Sequence, residues 1–348
     1  MFKVHIIDAG HGDCIFLECE NTRILIDCGP KKMKTRNAVI STLENIMGDN
    51  KKIDIAIVTH NDDDHIGGFK YLLQKDIKIE KIIFNSLNDI PDIIRSSIPQ
   101  ISFNQDNALR KQLLENKSIL VETLTRLDAP IIINNIKIDP ITPTLEALEV
   151  MHRAYEAGEI KKGEKESEPT QISSNQKFEA TLNECLSKIK NENENENENE
   201  NDYFIGDTSK PNKASIAFVV EYKNFRGLFL GDAHANDIIE GIKFKGYENL
   251  NFDVTKLSHH GSEKNTNSEL LNIIGKTEYI ICADKSKHNH PNAQTIARIL
   301  SYDSTPKLHF STKKNKLSKL INQIDSFNSS IALTFSLDNL NTIIYEYE

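Results

Sequence analysis

The feature that most constrains this chain is the block Thr59-His60-Asn61-Asp62-Asp63-Asp64-His65-Ile66-Gly67-Gly68, set directly behind the apolar run Ile53–Val58. The run is too short for a buried helix and rich in β-branched residues, so it reads as a buried strand. Where it stops the chain must turn, and the turn holds two histidines and three aspartates within six residues. Carboxylates crowded in that way repel one another, and a cation is the effective relief. Imidazole nitrogens and carboxylate oxygens are donors that zinc, manganese and iron accept.

Three further polar clusters stand where predicted strands stop. Gly231-Asp232-Ala233-His234 follows Gly227–Leu230, and Ser258-His259-His260-Gly261-Ser262 follows Phe252–Leu257. His288-Asn289-His290-Pro291 comes shortly after Tyr279–Cys282. With Gly10-His11-Gly12, the four clusters hold eight of the eleven histidines. Strand ends on one edge of an α/β sheet are where ligands gather, so the clusters are expected to converge.

Each cluster also has an ordinary reading. Asp232 alone fits a helix N-cap ahead of the helical pattern Asp237–Lys243, and His234 reads as an exposed or packed neighbour, not a ligand. One of His259 and His260 is expected to face metal and the other to pack or hydrogen-bond; spacing does not choose between them. His288 and His290 read equally well as surface residues ahead of a helix-starting Pro291. His5, His152 and His309 lie in strand or polar contexts and read as structural. For His60 and His65, with Asp62 and Asp64 between them, a metal-free reading leaves charge unpaired at high cost.

Around the clusters, short β runs alternate with helical periodicity, which indicates an α/β class. Val4–Ile7, Cys14–Cys19, Arg23–Asp27, Ile79–Phe84, Ile131–Ile138, Ser215–Tyr222, Leu308–Ser311, Ser330–Ser336 and Thr342–Tyr347 read as strands. Val39, Leu43 and Ile46 mark a helix. The chain 1–348 reads as a single domain in which residues 144–211 form a polar insertion. That insertion has helix candidates at Leu145–Ala157 and Phe178–Ile189, and carries a low-complexity Asn-Glu run at 191–202. The alternation has no apolar surface to bury and is predicted to be solvated and partly disordered.

Charge and cysteine usage bound the partners and the compartment. The Asn-Glu run carries five Glu and one Asp, so the net charge of −9 falls to −3 for the rest. A uniformly basic protein that coats nucleic acid is excluded, but a local basic patch is not. No stretch approaches the ~18 consecutive apolar residues of a membrane span. The five cysteines are odd in number and form no CxxC pair, as expected of free thiols in a reducing compartment. The strand-like start Phe2–Ile7 carries no leader pattern, and a cytoplasmic location is expected.

In their order and spacing the motifs together resemble those of the metallo-β-lactamase-fold hydrolases. The branch they look most similar to is the soluble hydrolase domain of competence-type DNA-uptake channel proteins. The resemblance rests on Asp8-Ala9-Gly10-His11-Gly12-Asp13, Ile26-Asp27-Cys28-Gly29, the block Thr59–Gly68, Asn212–Ser215, Gly231-Asp232, His259–Ser262 and His288–Pro291. Residues 144–211 lie outside it. The resemblance implies a four-layer αββα sandwich with two divalent ions, Zn or Mn, at the edge between the sheets.

By that resemblance His60 and Asp62 belong to one metal, Asp64 and His65 to the other, and Asp232 bridges them. His259 or His260 completes the second site, with His288 and His290 as rivals. Asp13, Asn212 and Ser262 stand as further metal or substrate contacts. Two departures bear on the metals. Many relatives have His where this chain has Asp62, and an oxygen ligand favours a harder cation such as manganese. The usual histidine between the first motif and the bridging aspartate is also absent: only His152 falls in that interval, inside the insertion. The branch often has Asn at that point, here Asn212.

The implied chemistry is hydrolysis by a metal-activated water. Asp62 or Asp64 orients the water, and the non-ligating member of His259-His260 protonates the leaving group or holds a phosphate oxygen. Phosphodiesters of nucleic acid or nucleotides suit it, because charge builds on oxygens that both ions reach. A carboxylic ester or lactone hydrolase would use the same ion pair on a carbonyl. A non-catalytic metal-binding regulatory module would keep the fold, with the 144–211 insertion contacting a protein partner.

Overall fold

Side-chain alternation along the strands fixes the layers. In the strand Lys52–Val58, Ile55 and Ile57 enter one apolar cluster while Ala56 and Val58 enter another, following the two-residue period of a pleated strand. The computed structural model of the protein describes residues 1–93, 104–116, 118–158, 180–194 and 204–346.

Two mixed sheets carry the strands. The first runs, neighbour by neighbour, β15 (Leu340–Tyr345), β1 (Phe2–Ile7), β2 (Ile15–Cys19), β3 (Thr22–Ile26), β4 (Lys52–Val58), β5 (Lys78–Phe84) and β6 (Leu120–Glu122). It is antiparallel from β15 to β3 and parallel from β3 to β6. The second runs β14 (Ala332–Thr334), β13 (Lys307–Phe310), β12 (Glu278–Ile281), β11 (Val254–Lys256), β10 (Phe225–Phe229), β9 (Ala217–Tyr222), β8 (Ile136–Thr142) and β7 (Ile131–Ile133). It is parallel from β14 to β10 and antiparallel beyond.

Three apolar layers bind four structural ones. Val4, Ile6, Leu17, Ile55 and Ile57 of the first sheet meet Phe218, Val220, Phe229, Val254 and Ile280 of the second. The rings of Phe2 and Phe225 stack across this interior with centroids 4.1 Å apart, and truncating either to alanine costs about 3–5 kcal/mol. Outside the first sheet, the helix Met33–Met47 buries Val39, Ile40 and Leu43. Outside the second, the helices Ala235–Phe244, Ala293–Tyr302 and Ser318–Phe327 do the same. The order is the αββα sandwich expected.

The details depart from expectation in places. The run Ile131–Ile138 is not one strand but the hairpin β7–β8. Asn134, at φ 46°, reverses the chain there, a conformation asparagine tolerates better than most residues. The helix Leu182–Glu194 buries Leu182, Cys185, Leu186 and Ile189 in the outer core of the second sheet, along one helical stripe. The predicted helix start at Phe178 and residues 195–202 of the Asn-Glu run lie outside the described residues. All five cysteines are free and buried. Among the described residues, no helix is long and apolar enough to cross a membrane.

Candidate metal centre

The two parallel blocks send the C-terminal ends of β3, β4, β10, β11 and β12 to one edge. After β4 come Thr59 and His60, and then the short helix Asp63–Ile66 with Asp62 at its cap position. Two glycines let neighbouring turns close on this block. A Cβ at Gly68 would overlap the Cys28 carbonyl, and one at Gly12 would overlap the Asp64 carbonyl. Asp27, just after β3, accepts hydrogen bonds from the Thr59 N–H (2.8 Å) and hydroxyl (2.7 Å), and lies 2.8 Å from His65 Nδ1. A carboxylate on Nδ1 fixes the ring and leaves Nε2 for the site. Asn61 turns away and donates to Asp106 at 3.0 Å.

The second sheet supplies the facing half. The Asp232 N–H donates to Ser215 Oγ, and the helix that follows is capped at His234, not Asp232. The Asp232 carboxylate is ringed by four imidazoles. Oδ1 lies 3.4 Å from His65 Nε2. Oδ2 lies 3.7 Å from His60 Nε2, 3.6 Å from His260 Nε2 and 3.8 Å from His259 Nε2. His259 and His260 both have left-handed backbone, φ 47° and 58°, a strained state of the kind that gathers at functional sites.

Each of this pair is held from behind. His260 Nδ1 lies 3.0 Å from Asp13 Oδ1 and 3.0 Å from the Cys282 carbonyl. His259 Nδ1 faces Asp207 (3.3 Å) and Asn265 Oδ1 (3.0 Å). Asn212 donates to Asp207 at 2.7 Å, so it stands behind His259.

The electrostatics are those of a carboxylate cluster in need of positive charge. Lys256, buried at the end of β11, pairs with Asp13, donates to the Gly231 carbonyl at 2.9 Å and lies 3.9 Å from Asp232 Oδ1. Burial pushes Asp13 upward, but Lys256 and the histidines outweigh it and hold its pKa at about 2. Burial likewise depresses His260, yet Asp232 and Asp13 raise it to about 9. His65 is raised against its burial by Asp232, Asp27 and Asp13.

The donor set fits a divalent cation. Asp13, His65, Asp232 and His260 bring one ligand atom each within 4.8 Å of one another. His60 Nε2 and Asp232 Oδ1 are buried without a hydrogen-bond partner, a costly arrangement unless an ion satisfies them. The centre opens into a cavity of about 70 Å³ lined by Asp62, Asp64, His11, Lys287, His288 and His290, among others. Lys287 Nζ lies 3.8 Å from Asp64 Oδ2. Burial and the neighbouring His259 and His260 lower His290 to about 2.

The remaining residues sort by position. Ser262 is buried and its hydroxyl accepts from the Lys264 N–H. His5 is held by Thr342 and Glu18, and His309 by Thr334 and Glu278; His152 is buried beside Glu156. Sequence reasoning missed Asp207, Lys256 and Lys287, and gave Asp27 no role. A lysine ending a buried strand two residues before Ser258-His259 was a usable signal for Lys256. Asp207 sits in no motif and is brought in by the fold alone.

Residues 7–81 match the family model of the metallo-beta-lactamase superfamily. No curated protein matches the chain significantly. Among solved structures, the chain is similar to the metallo-beta-lactamase fold protein YhfI from Bacillus subtilis, at 12% identity over 99% of this chain and 100% of that one, with a TM-score of 0.45. It is also similar to Igni18, a metallo hydrolase from the archaeon Ignicoccus hospitalis (11% identity, 99% and 100% covered, TM-score 0.43). A third is Zn(2+)-bound PqqB from Methylobacterium extorquens (8% identity, 98% and 100% covered, TM-score 0.43). Nothing in these matches singles out the competence-type branch. The segment that supplies the first half of the centre, residues 7–81, matches the metallo-β-lactamase superfamily model, and the described chain is folded as an αββα sandwich.

Proposed function

We propose that the chain is a metal-dependent hydrolase that cleaves phosphodiester bonds of nucleic acid or nucleotides, with two divalent ions, zinc or manganese, at its centre. The observation that carries this reading is the buried Asp232 carboxylate, ringed by four imidazoles, with Asp62 and Asp64 lining the cavity beside it. Those groups suffice for two ions: His60, Asp62 and His259 on one side, Asp64, His65 and His260 on the other, and Asp232 between them. Ions held there would lower the pKa of a water and draw charge from a phosphoryl oxygen.

The chain's own residues do the rest. Asp27 orients His65, Asp13 with Lys256 orients His260, and Asp207 with Asn212 and Asn265 orients His259. Asp64 doubles as a group that aligns the attacking water. With His259 and His260 both turned to Asp232, His11 and His288 on the cavity wall hold a phosphate oxygen or protonate the leaving group. Lys287 favours an anionic substrate over a neutral ester.

The test is metal analysis of the purified protein with a substrate panel. Near two ions per chain, with metal-dependent cleavage of a phosphodiester, supports the reading. Hydrolysis of carboxylic esters or lactones in its place would transfer the site to that chemistry. Ion content near zero would leave a non-catalytic module.

A further inference from the structure

The loop that leaves β3 is pinned to the metal-binding block and then turns basic. The Gly68 N–H donates to the Gly29 carbonyl at 2.8 Å, and the Lys31 N–H to Asp63 Oδ1 at 3.3 Å. A Cβ at Gly67 would overlap the Lys31 nitrogen, so the two segments touch. From here the chain reads Lys31-Lys32-Met33-Lys34-Thr35-Arg36, with no acidic residue between Asp27 and Glu44. Four cations thus stand together in a chain whose net charge is −9.

Only the first of the four meets a carboxylate. Lys31 Nζ lies 3.9 Å from Asp63, which also accepts from Gln105 at 2.9 Å. Among the described residues, no carboxylate comes within ion-pair distance of Lys32, Lys34 or Arg36. Lys32 and Lys34 are exposed, and so is Met33 between them. Arg36 is held in place: its guanidinium carbon sits 3.6 Å from the centre of the Tyr71 ring, and Nη1 donates to the Lys31 carbonyl at 2.9 Å. An anchored guanidinium loses less freedom when it binds an anion.

The basic segment borders the mouth of the metal centre. Next to Gly10 stands His11, which lines the cavity. A Cβ placed on Gly10 would lie 3.8 Å from the Thr35 side chain and 3.6 Å from Asp284, another residue of the cavity wall. The Asp284 carboxylate is already paired with Lys316 at 3.2 Å.

We propose that the segment Lys31–Arg36 is a docking surface for a single-stranded polynucleotide, which it holds by the flanking phosphates while the scissile phosphodiester lies in the metal centre. The inference rests on the phosphodiesterase reading and deepens it: the substrate is a strand, not a free nucleotide. Unpaired like charges on adjoining residues repel one another until a polyanion neutralises them. Met33, between two lysines, offers apolar surface to a base. An anionic membrane surface would call for several large apolar groups on one face, and Met33 alone is exposed in this stretch.

The test is binding of a short, cleavage-resistant phosphorothioate single-stranded DNA to the metal-loaded full chain, read by fluorescence anisotropy over a salt series. Lys32→Ala and Lys34→Ala together should lower the slope of log affinity against log salt by about 1.4. The pair Lys32→Arg and Lys34→Arg should keep the wild-type slope. Neither lysine lines the cavity, so kcat and KM for a small diester should stay at their wild-type values in the alanine variant. Unchanged slope and affinity for the DNA in that variant would overturn the docking surface. Lysine-dependent binding to phosphatidylserine vesicles, with DNA binding unaltered, would overturn its assignment to a polynucleotide. A chain that cleaves a small diester but shows no lysine-dependent DNA binding loses only the docking surface. One that binds DNA through these lysines yet cleaves no diester loses only the proposed reaction.

Discussion

Across 195 residues of sequence, His65 Nε2 and His260 Nε2 come within 3.3 Å of each other. Each ring spends its other nitrogen on a buried carboxylate, His65 on Asp27 and His260 on Asp13. The nitrogens that meet are those left over for an ion. Asp27→Asn should therefore weaken metal affinity about 10–100-fold while far-UV circular dichroism stays native. Competition with a chromogenic chelator measures this, and unchanged affinity would remove the orienting role.

The proposed two-ion arrangement predicts a stoichiometric difference. His259→Ala should remove one of two bound ions, because Asp64, His65, His260 and Asp232 remain together. Asp232→Ala should remove both and abolish metal-dependent turnover. Elemental analysis after dialysis reads the difference. Two ions retained by the His259 variant would exclude that ring as a ligand.

Lys256 is buried with Asp13 and beside Asp232. Lys256→Met strands two carboxylates without their cation and should cost about 3–5 kcal/mol in metal-free protein. Adding Asp13→Asn should recover most of the loss. Urea unfolding of the three chains in chelator is the measurement, and a stable single variant would count against the pairing.

A pH-sensitive lock joins the two sheets away from the centre. Glu278 on β12 accepts hydrogen bonds from Lys307 (2.6 Å) and His309 (3.1 Å) on β13, and from Tyr345 (3.1 Å) on β15 of the other sheet. Burial pushes its carboxyl upward, but the His309 and Lys307 bonds win and bring it to about 2, against an ordinary 4.5. The folded state thus binds this proton less readily than the unfolded chain. Its contribution is present above pH 4.5 and is lost as pH falls toward 2. Glu278→Gln should be less stable than wild type at pH 6, with the gap narrowing as pH falls below 4.5 and closing only at about pH 2 in urea unfolding. A constant gap would mean that the carboxylate charge plays no part.

What the sequence made legible was local. Thr59–Gly68 concentrates its chemistry in one turn, so strand prediction and charge crowding suffice to mark it. Asp232, His259 and His290 were found because each follows a strand of recognisable pattern. Lys256 and Asp207 were not, since their partners are distant in sequence and only packing brings them together. Ile131–Ile138 went wrong for another reason: its apolar continuity outweighed Asn134-Asn135, which is the better turn signal. Nor does spacing show that both His259 and His260 turn toward one carboxylate, which takes two consecutive left-handed residues.

The donors come from opposite sides of the interior seam: His60 to His65 from the sheet of β4, Asp232 to His260 from the sheet of β10 and β11. Neither half carries a full coordination shell, so an ion seated between them behaves as a clasp. Its affinity is then shared with the closure of the sandwich. Chelation should be felt first as faster amide exchange along this edge, well before the phenylalanine-packed interior gives way.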